Sequence, residues 1–444
     1  MDRRTFLGSV GLAALAARAR AEEVIKGRPE VTLPRATSGD TAVEPDWAER
    51  LTVTVGLRNA DIVGKDQRAI QAAVDYVARL GGGTVEILPG KYVLRNAVYL
   101  ASKVALKGHG QETILEKAPS TTVKLAVDSD WYDQEITLAE DAGFRVGDGI
   151  CLRTKNPHNG GIDIAKRTLV ARDGKRFKLD RALRQNFWQM GDSTAATLFP
   201  ILSGENVTDL RLENLVLDGN RTNNENLDGN YAGCVFLQDV SGVLMRGVTA
   251  RNYNGDGLSW QIAHDVMVEE CYSHDHAGLG LHPGSGSQRP VMRGNRIARC
   301  DIGVFFCWGV KYGLADGNEV EACRVGISIG HRDTDNLIQS NVVRDSGEVG
   351  ILFRPERGRG FTPDRNRVVA NRVENSGGEQ AAAIDLQGTC GEVALTQNMV
   401  RESRGPAQRI GLRIGPEVGL VALSENRFEG LARQVEDSRP GSRS

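Results

Sequence analysis

From about residue 84 onward, apolar and polar positions alternate in short runs that recur at a fixed interval, with no 3.6-residue helical period. Five segments align: Gly257-Leu258-Ser259-Trp260-Gln261, Gly278-Leu279-Gly280-Leu281-His282, Gly303-Val304-Phe305-Phe306-Cys307, Gly326-Ile327-Ser328-Ile329-Gly330 and Gly350-Ile351-Leu352-Phe353-Arg354. Strand alternation turns Leu258, Leu279, Val304, Ile327 and Ile351 inward together with Trp260, Leu281, Phe306, Ile329 and Phe353, and turns the residues between them outward. An asparagine step recurs at Asn295, Asn318 and Asn341, each 23 residues after the last, then at slightly longer intervals at Asn371, Asn398 and Asn426. A repeat of this length marks a solenoid, and three short strands fill one coil. The expected fold class is therefore all-β, a right-handed parallel β-helix. Asparagine suits its corners, where amides of successive coils can stack.

The front of the chain breaks the pattern. Asp66-Gln67-Arg68 starts a helix with Ile70, Ala73, Val74 and Val77 on one face, and Gly81-Gly82-Gly83 stops it; such a helix would cover the open apolar layer of the first coil. Residues 128–183 carry Asp141 to Asp148 and an Asp173-Gly174 turn flanked by alternating residues, which predicts an inserted antiparallel lobe. The Asn- and Asp-rich stretch Asp218 to Asn230 predicts a long loop at a coil corner. The expected organisation is a leader over 1–21, an extended segment over 22–65, the β-helix with its cap over 66–430, and a polar tail over 431–444.

Composition narrows the function classes. A net charge of −2 removes the long basic face that nucleic acid or an anionic membrane would require. Fifty-two glycines in 444 residues with few aromatics indicate a folded chain of many tight turns. Seven cysteines cannot all pair, and Cys300 and Cys323, which share a coil position, are expected to pack as buried thiols. At the amino terminus, Arg3-Arg4-Thr5-Phe6-Leu7, a short apolar run and Ala19-Arg20-Ala21 resemble a twin-arginine export signal cleaved after Ala21. Asp2 and Gly8 depart from that pattern. The expected destination is the periplasm or the exterior, with no membrane attachment after cleavage.

The motifs Ala69-Ile70-Gln71-Ala72-Ala73-Val74, Gly81-Gly82-Gly83-Thr84-Val85, Leu88-Pro89-Gly90-Lys91-Tyr92 and Leu106-Lys107-Gly108-His109-Gly110 resemble the start of the pectate-lyase-like β-helix superfamily. The resemblance implies a fold and leaves the reaction open among lyases, hydrolases, epimerases and tailspikes.

Candidate chemistry concentrates in a few coils. His264, His274, His276, His282 and His331 are five of the seven histidines. The alignment puts Gln261, His282, Cys307, Gly330 and Arg354 in one outward column, with Trp308 and His331 one residue further on, and Arg332, Asp333, Asp335, Lys311, His264 and Asp265 along the same strand ends. Removing the proton beside a sugar carboxylate calls for cations and a base. In that reading His282 or His331 is the base, Arg354 and Arg332 hold the acid, and Trp308 stacks the ring. Gln261, Lys311, His264 and Asp265 rim the site. A glycoside hydrolase needs two carboxyl groups, for which Asp256, Asp265, Asp275 and Asp333 are the candidates. Asp256 reads equally as a turn residue bonding its own backbone. His274-Asp275-His276 with His282 lacks a well-spaced further ligand, so no metal or cofactor is expected; Asp218, Asp228 and Glu225 leave calcium open. The leading reading is an exported lyase or epimerase acting on a uronic-acid glycan. The alternatives are a β-helical glycoside hydrolase and a non-catalytic glycan binder. The export reading has a direct check: replacing Arg3 and Arg4 by Lys should leave the precursor in the cytoplasm, as read by cell fractionation, and normal export of that variant would discard it.

Overall fold

The computed structural model describes residues 49–356, 358, 360–405 and 409–441; the expected leader lies outside them. Each coil lays one short strand in each of three parallel sheets. Val243 of strand Ser241–Arg246 pairs with Val266 of the next coil, Ala250 with Ser273, and Leu258 with Leu281. Among the described residues the three sheets hold thirteen, eleven and eleven strands. Inward residues of all three meet in one continuous apolar core that includes Val268, Ile297, Trp260, Phe306 and Phe353.

Between the first and second sheets the asparagine step becomes a buried ladder. Asn341 Nδ2 donates to the Ala315 carbonyl and to Asn371 Oδ1, while its own Oδ1 accepts from the backbone N–H and Nδ2 of Asn318. The same exchange runs from Asn295 to Asn426. Each amide uses both ends inside the stack, which an exposed loop amide would not need to do.

The helix Gln67–Arg79 is capped by Asp66, whose side chain accepts from the Arg68 N–H, and it buries Ile70, Ala73, Val74 and Val77 against the first coil. The stack begins earlier than residue 84. Thr52–Gly56 pairs in parallel with Gly83–Ile87, so part of the expected extended segment is strand. It also ends later, because Arg433–Asp437 pairs with Ile410–Ile414 inside the expected polar tail. The polarity there has a physical reason: a last strand has one free edge, and charged residues on it discourage pairing with another chain. The antiparallel lobe runs from Thr122–Lys124 to Thr194–Ala196, wider than 128–183, and has its own small core around Phe144, Phe177 and Phe187.

Replacing Asn341 by Leu should lower the unfolding free energy by about 2–4 kcal/mol, because it strands buried donors and acceptors that each cost about 1–3 kcal/mol. Urea denaturation measures this, and a loss under about 0.5 kcal/mol, the range of ordinary surface substitutions, would show the ladder to be incidental.

Candidate functional site

The outer face of the third sheet carries one unbroken column of side chains. Tyr99, Ser203, Phe236, Ser259 and His282 are successive register partners. Phe305, whose ring lies 5.5 Å from that of His282, continues through Ser328, Leu352, Asp385 and Arg413. This corrects the alignment at one coil. Gly280, not Gly278, matches Gly257, since Leu281 pairs with Leu258 and with Val304. A two-residue slip leaves every side chain on its own face, so alternation alone cannot detect it. His282 therefore stands one outward position away from the column of Gln261, Cys307, Gly330 and Arg354.

His282 is only 2% exposed. Its Nδ1 lies 2.7 Å from Asp256 Oδ2 and 3.2 Å from Ser259 Oγ. Burial alone would push its pKa down, but hydrogen bonding to Asp256 and the neighbouring Cys307 thiol outweigh this and lift it to about 9. At neutral pH it is an imidazolium whose Nε2 has no nitrogen or oxygen partner. Asp256 also accepts from the Leu279 N–H of the following coil, so it bonds across coils and not within its own turn. The loop between Asp218 and Gly233 closes over this pair: Ser259 Oγ donates to the Gly229 carbonyl, and a Cβ on Gly229 would collide with the Asp256 carboxylate.

At the ends of the same strands is a row of stacked rings. The Trp308 ring lies 4.1 Å from His331, and His331 lies 4.7 Å from Phe361. The Arg332 guanidinium sits 3.7 Å over Phe361. Trp308 is 44% exposed and gives this rim an aromatic face to solvent. Phe361 has no sequence signal, because it belongs to an aperiodic loop. Phe305 was placed outward by alternation, but nothing in the sequence put it beside His282.

Other expected site residues are engaged elsewhere. Arg354 donates to Ser328 Oγ at 2.6 Å and to the Phe306 carbonyl at 2.7 Å, lies 3.3 Å from Asp333 Oδ2 and covers the Phe305 ring, so it braces the strands and is not a free clamp. Asp333 is fully buried and accepts from the N–H groups of Gly309, Val310 and Gly330. Burial raises its pKa to about 7 against the opposing pull of Arg354 and those amides. A carboxyl so enclosed cannot reach a glycosidic oxygen. Asp265 forms a two-pronged pair with Arg289 on the surface. His264 and Lys311 fall with Gln288 and Thr334 on the corner leading to the first sheet. Gln261 Oε1 accepts from the Ser285 N–H.

The remaining histidines do not converge. His274 binds Asp275, which Arg299 also holds. His276 accepts from the Tyr253 N–H inside the coil, where burial lowers its pKa to about 3. Among the described residues, no group of three or more His, Cys, Asp or Glu side chains is placed to hold a metal ion. Asp218 pairs with Arg251, Glu225 accepts from Thr122, and Asp228 bonds within its own loop, so the three carboxylates do not meet as one calcium site. All seven cysteines are buried free thiols, and those of Cys300 and Cys323 are neighbours.

Comparison with known proteins places the fold. The family described as the right-handed β-helix region matches residues 233–400. The A-module of the mannuronan C-5 epimerase AlgE6 of Azotobacter vinelandii aligns with a TM-score of 0.52 at 14% identity, over 83% of this chain and 91% of that one. The AlgE4 A-module of the same organism gives 0.52 and 14% over 87% and 100%. ORF18 of Geobacillus virus E2 gives 0.50 and 11% over 86% and 62%. No curated protein sequence matches the chain significantly. The chain has the right-handed parallel β-helix fold.

The raised pKa of His282 fixes a sign. A histidine lifted from 6.5 to about 9 on folding stabilises the native state fully below pH 6.5 and loses that contribution as pH climbs towards 9. The His282→Gln variant should therefore lose less stability across this interval than the parent, by urea denaturation at each pH; parallel pH profiles would show that the imidazole is not held protonated.

Proposed function

We propose that this chain is an exported carbohydrate-active enzyme that moves a proton on a uronic-acid residue of a polysaccharide, as a lyase or C5-epimerase. The observation that carries the reading is the Asp256–His282 pair, a histidine held protonated beneath the Gly229 loop on a sheet face whose other carboxylates are engaged. In this mechanism the loop over Gly229 moves aside, so that the His282 imidazolium faces the sugar carboxylate and stabilises the charge that builds on it as the adjacent C–H bond weakens. His331 in the stacked rim is the base that takes the C5 proton; in a lyase the C4–O bond then breaks and its oxygen takes a proton from solvent, and in an epimerase solvent returns a proton to the opposite face of C5. Trp308 supports the sugar ring and Arg332 binds acidic groups along the polymer. Two of the aligned folds are mannuronan C-5 epimerases, which supports this substrate class by analogy of fold only.

Hydrolysis is disfavoured by the state of Asp256 and Asp333, one paired with a histidine and the other sealed among backbone amides. A second reading, glycan binding without turnover, draws support from the burial of His282 and His331 beside an exposed Trp308 ring.

The test is incubation of the purified protein with polyuronates in D2O. Either proposed reaction forms or breaks a bond at C5: a lyase yields an unsaturated, ultraviolet-absorbing end, and an epimerase leaves deuterium in the polymer, visible by NMR. His331→Ala should cut turnover by about 10²–10⁴-fold with binding nearly kept, the usual range for a lost proton-transfer group, and His282→Gln by about 10²–10³-fold, the range for a lost charge-stabilising donor. Turnover should fall as pH passes about 9, where His282 loses its proton. New reducing ends without unsaturation would favour the hydrolase, and tight binding with no product would favour the binder.

A further inference from the structure

The antiparallel lobe and the outer face of the third sheet enclose a cleft of about 530 Å³, lined by Tyr99 and Ser203 of the sheet, Lys166, Thr168 and Arg181 of the lobe, and Glu205. It lies apart from the aromatic rim, yet Tyr99 and Ser203 open the same column that leads through Phe236 and Ser259 to His282. At ~4.8 Å per coil, Tyr99 stands ~19 Å from His282 and Phe236 ~10 Å from it.

Two groups in the cleft have geometry suited to an acidic sugar. Lys166 reaches down from the lobe strand Ile162–Asp173 and sets its ammonium 3.9 Å over the Phe236 ring, directly on the column. Its nearest carboxylate is Glu205, at the loose distance of 3.7 Å. Desolvation lowers its pKa to about 8 in spite of Glu205, which is the mark of an ammonium whose charge is incompletely answered. Tyr99 keeps 46% of its surface exposed while its hydroxyl is fixed by Thr168 Oγ1 at 3.1 Å and Asn96 Oδ1 at 3.3 Å. A ring pinned at its tip and open on its face is a stacking platform that loses little freedom on binding.

We propose that this cleft is a distal subsite that grips an acidic residue of the bound polymer, with Lys166 pairing the carboxylate and Tyr99 stacking the ring. The inference rests on the acidic-glycan reading of the groove. It gives the lobe a task that the coil stack does not require of it, which is to hold the chain several sugars away from His282 and so favour long substrates over short ones.

Calorimetric titration of the whole protein with oligouronates from dimer to octamer tests it, with neutral oligosaccharides of equal length as the comparison. Affinity for the acidic series should rise with length, and Lys166→Gln and Tyr99→Ala should each remove about tenfold of the gain for the longer oligomers while leaving the dimer unchanged. Tyr99→Ala alters an exposed ring, so it reads the subsite even if the lysine change disturbs the lobe. A length gain that survives in both variants, or no length gain at all, overturns the subsite; if Arg332→Ala still weakens the dimer, the acidic-glycan reading stands without it. Failure of every acidic oligomer to bind the parent protein overturns both.

Discussion

The buried asparagine ladder sets the terms for the rest of the molecule. A parallel stack has no hairpin turns to fix its register, and slipping one coil on the next would cost only apolar contacts that reform after the slip. The ladder removes that freedom: Asn318, Asn341 and Asn371 each accept a backbone N–H from one neighbour and donate to the next. Because these amides are buried, a slipped coil would strand them without water to substitute. A second, shorter ladder of Asn336 and Asn366 does the same at the corner leaving the third sheet.

Fixed register is what converts a repeated sequence into a site. Ser259, His282, Phe305 and Ser328 are more than twenty residues apart in sequence, yet each sits one coil from the next on a rigid face. The positions are those of a scaffold, and the chemistry comes from departures from the repeat: a histidine between Ser259 and Phe305 in the column, and an aspartate at a corner close enough to hold it. The close approach of Gly229 to Asp256 completes the enclosure.

Much of this was legible because the inward pattern is strict. The coil stack, the capping helix and the asparagine step all follow from spacing, and so does the outward direction of Phe305 and His282. What spacing could not supply was the offset at Gly278-Leu279-Gly280, where two glycines flank a leucine and either one matches the repeat. That ambiguity misplaced His282 against Arg354. Nor could it show that Arg354 would be consumed by Ser328, Phe306 and Asp333, since a strand-end arginine looks the same in sequence whether it is a brace or a clamp. Phe361 and Lys166 come from a loop and a lobe outside the repeat, so no periodic argument reaches them.

The burial of Asp333 also acquires a reason from what it touches. An isolated carboxylate in a protein interior is costly, and its raised pKa records that cost. Its Oδ1 takes the N–H groups of Gly309 and Val310, just after Trp308, and its Oδ2 takes that of Gly330, just before His331. Trp308 and His331 both adopt left-handed backbone, at φ 56° and 41°, which costs a residue with a side chain about 1–2 kcal/mol. Three amide hydrogen bonds to one carboxylate hold the two strand ends in that conformation. Relaxed to ordinary strand geometry, the two rings would follow the alternation of the sheet instead of facing each other at 4.1 Å. On this argument Asp333 is a positioning residue: it contributes no proton, and its enclosure is the means by which two turns one coil apart present their rings as a single surface.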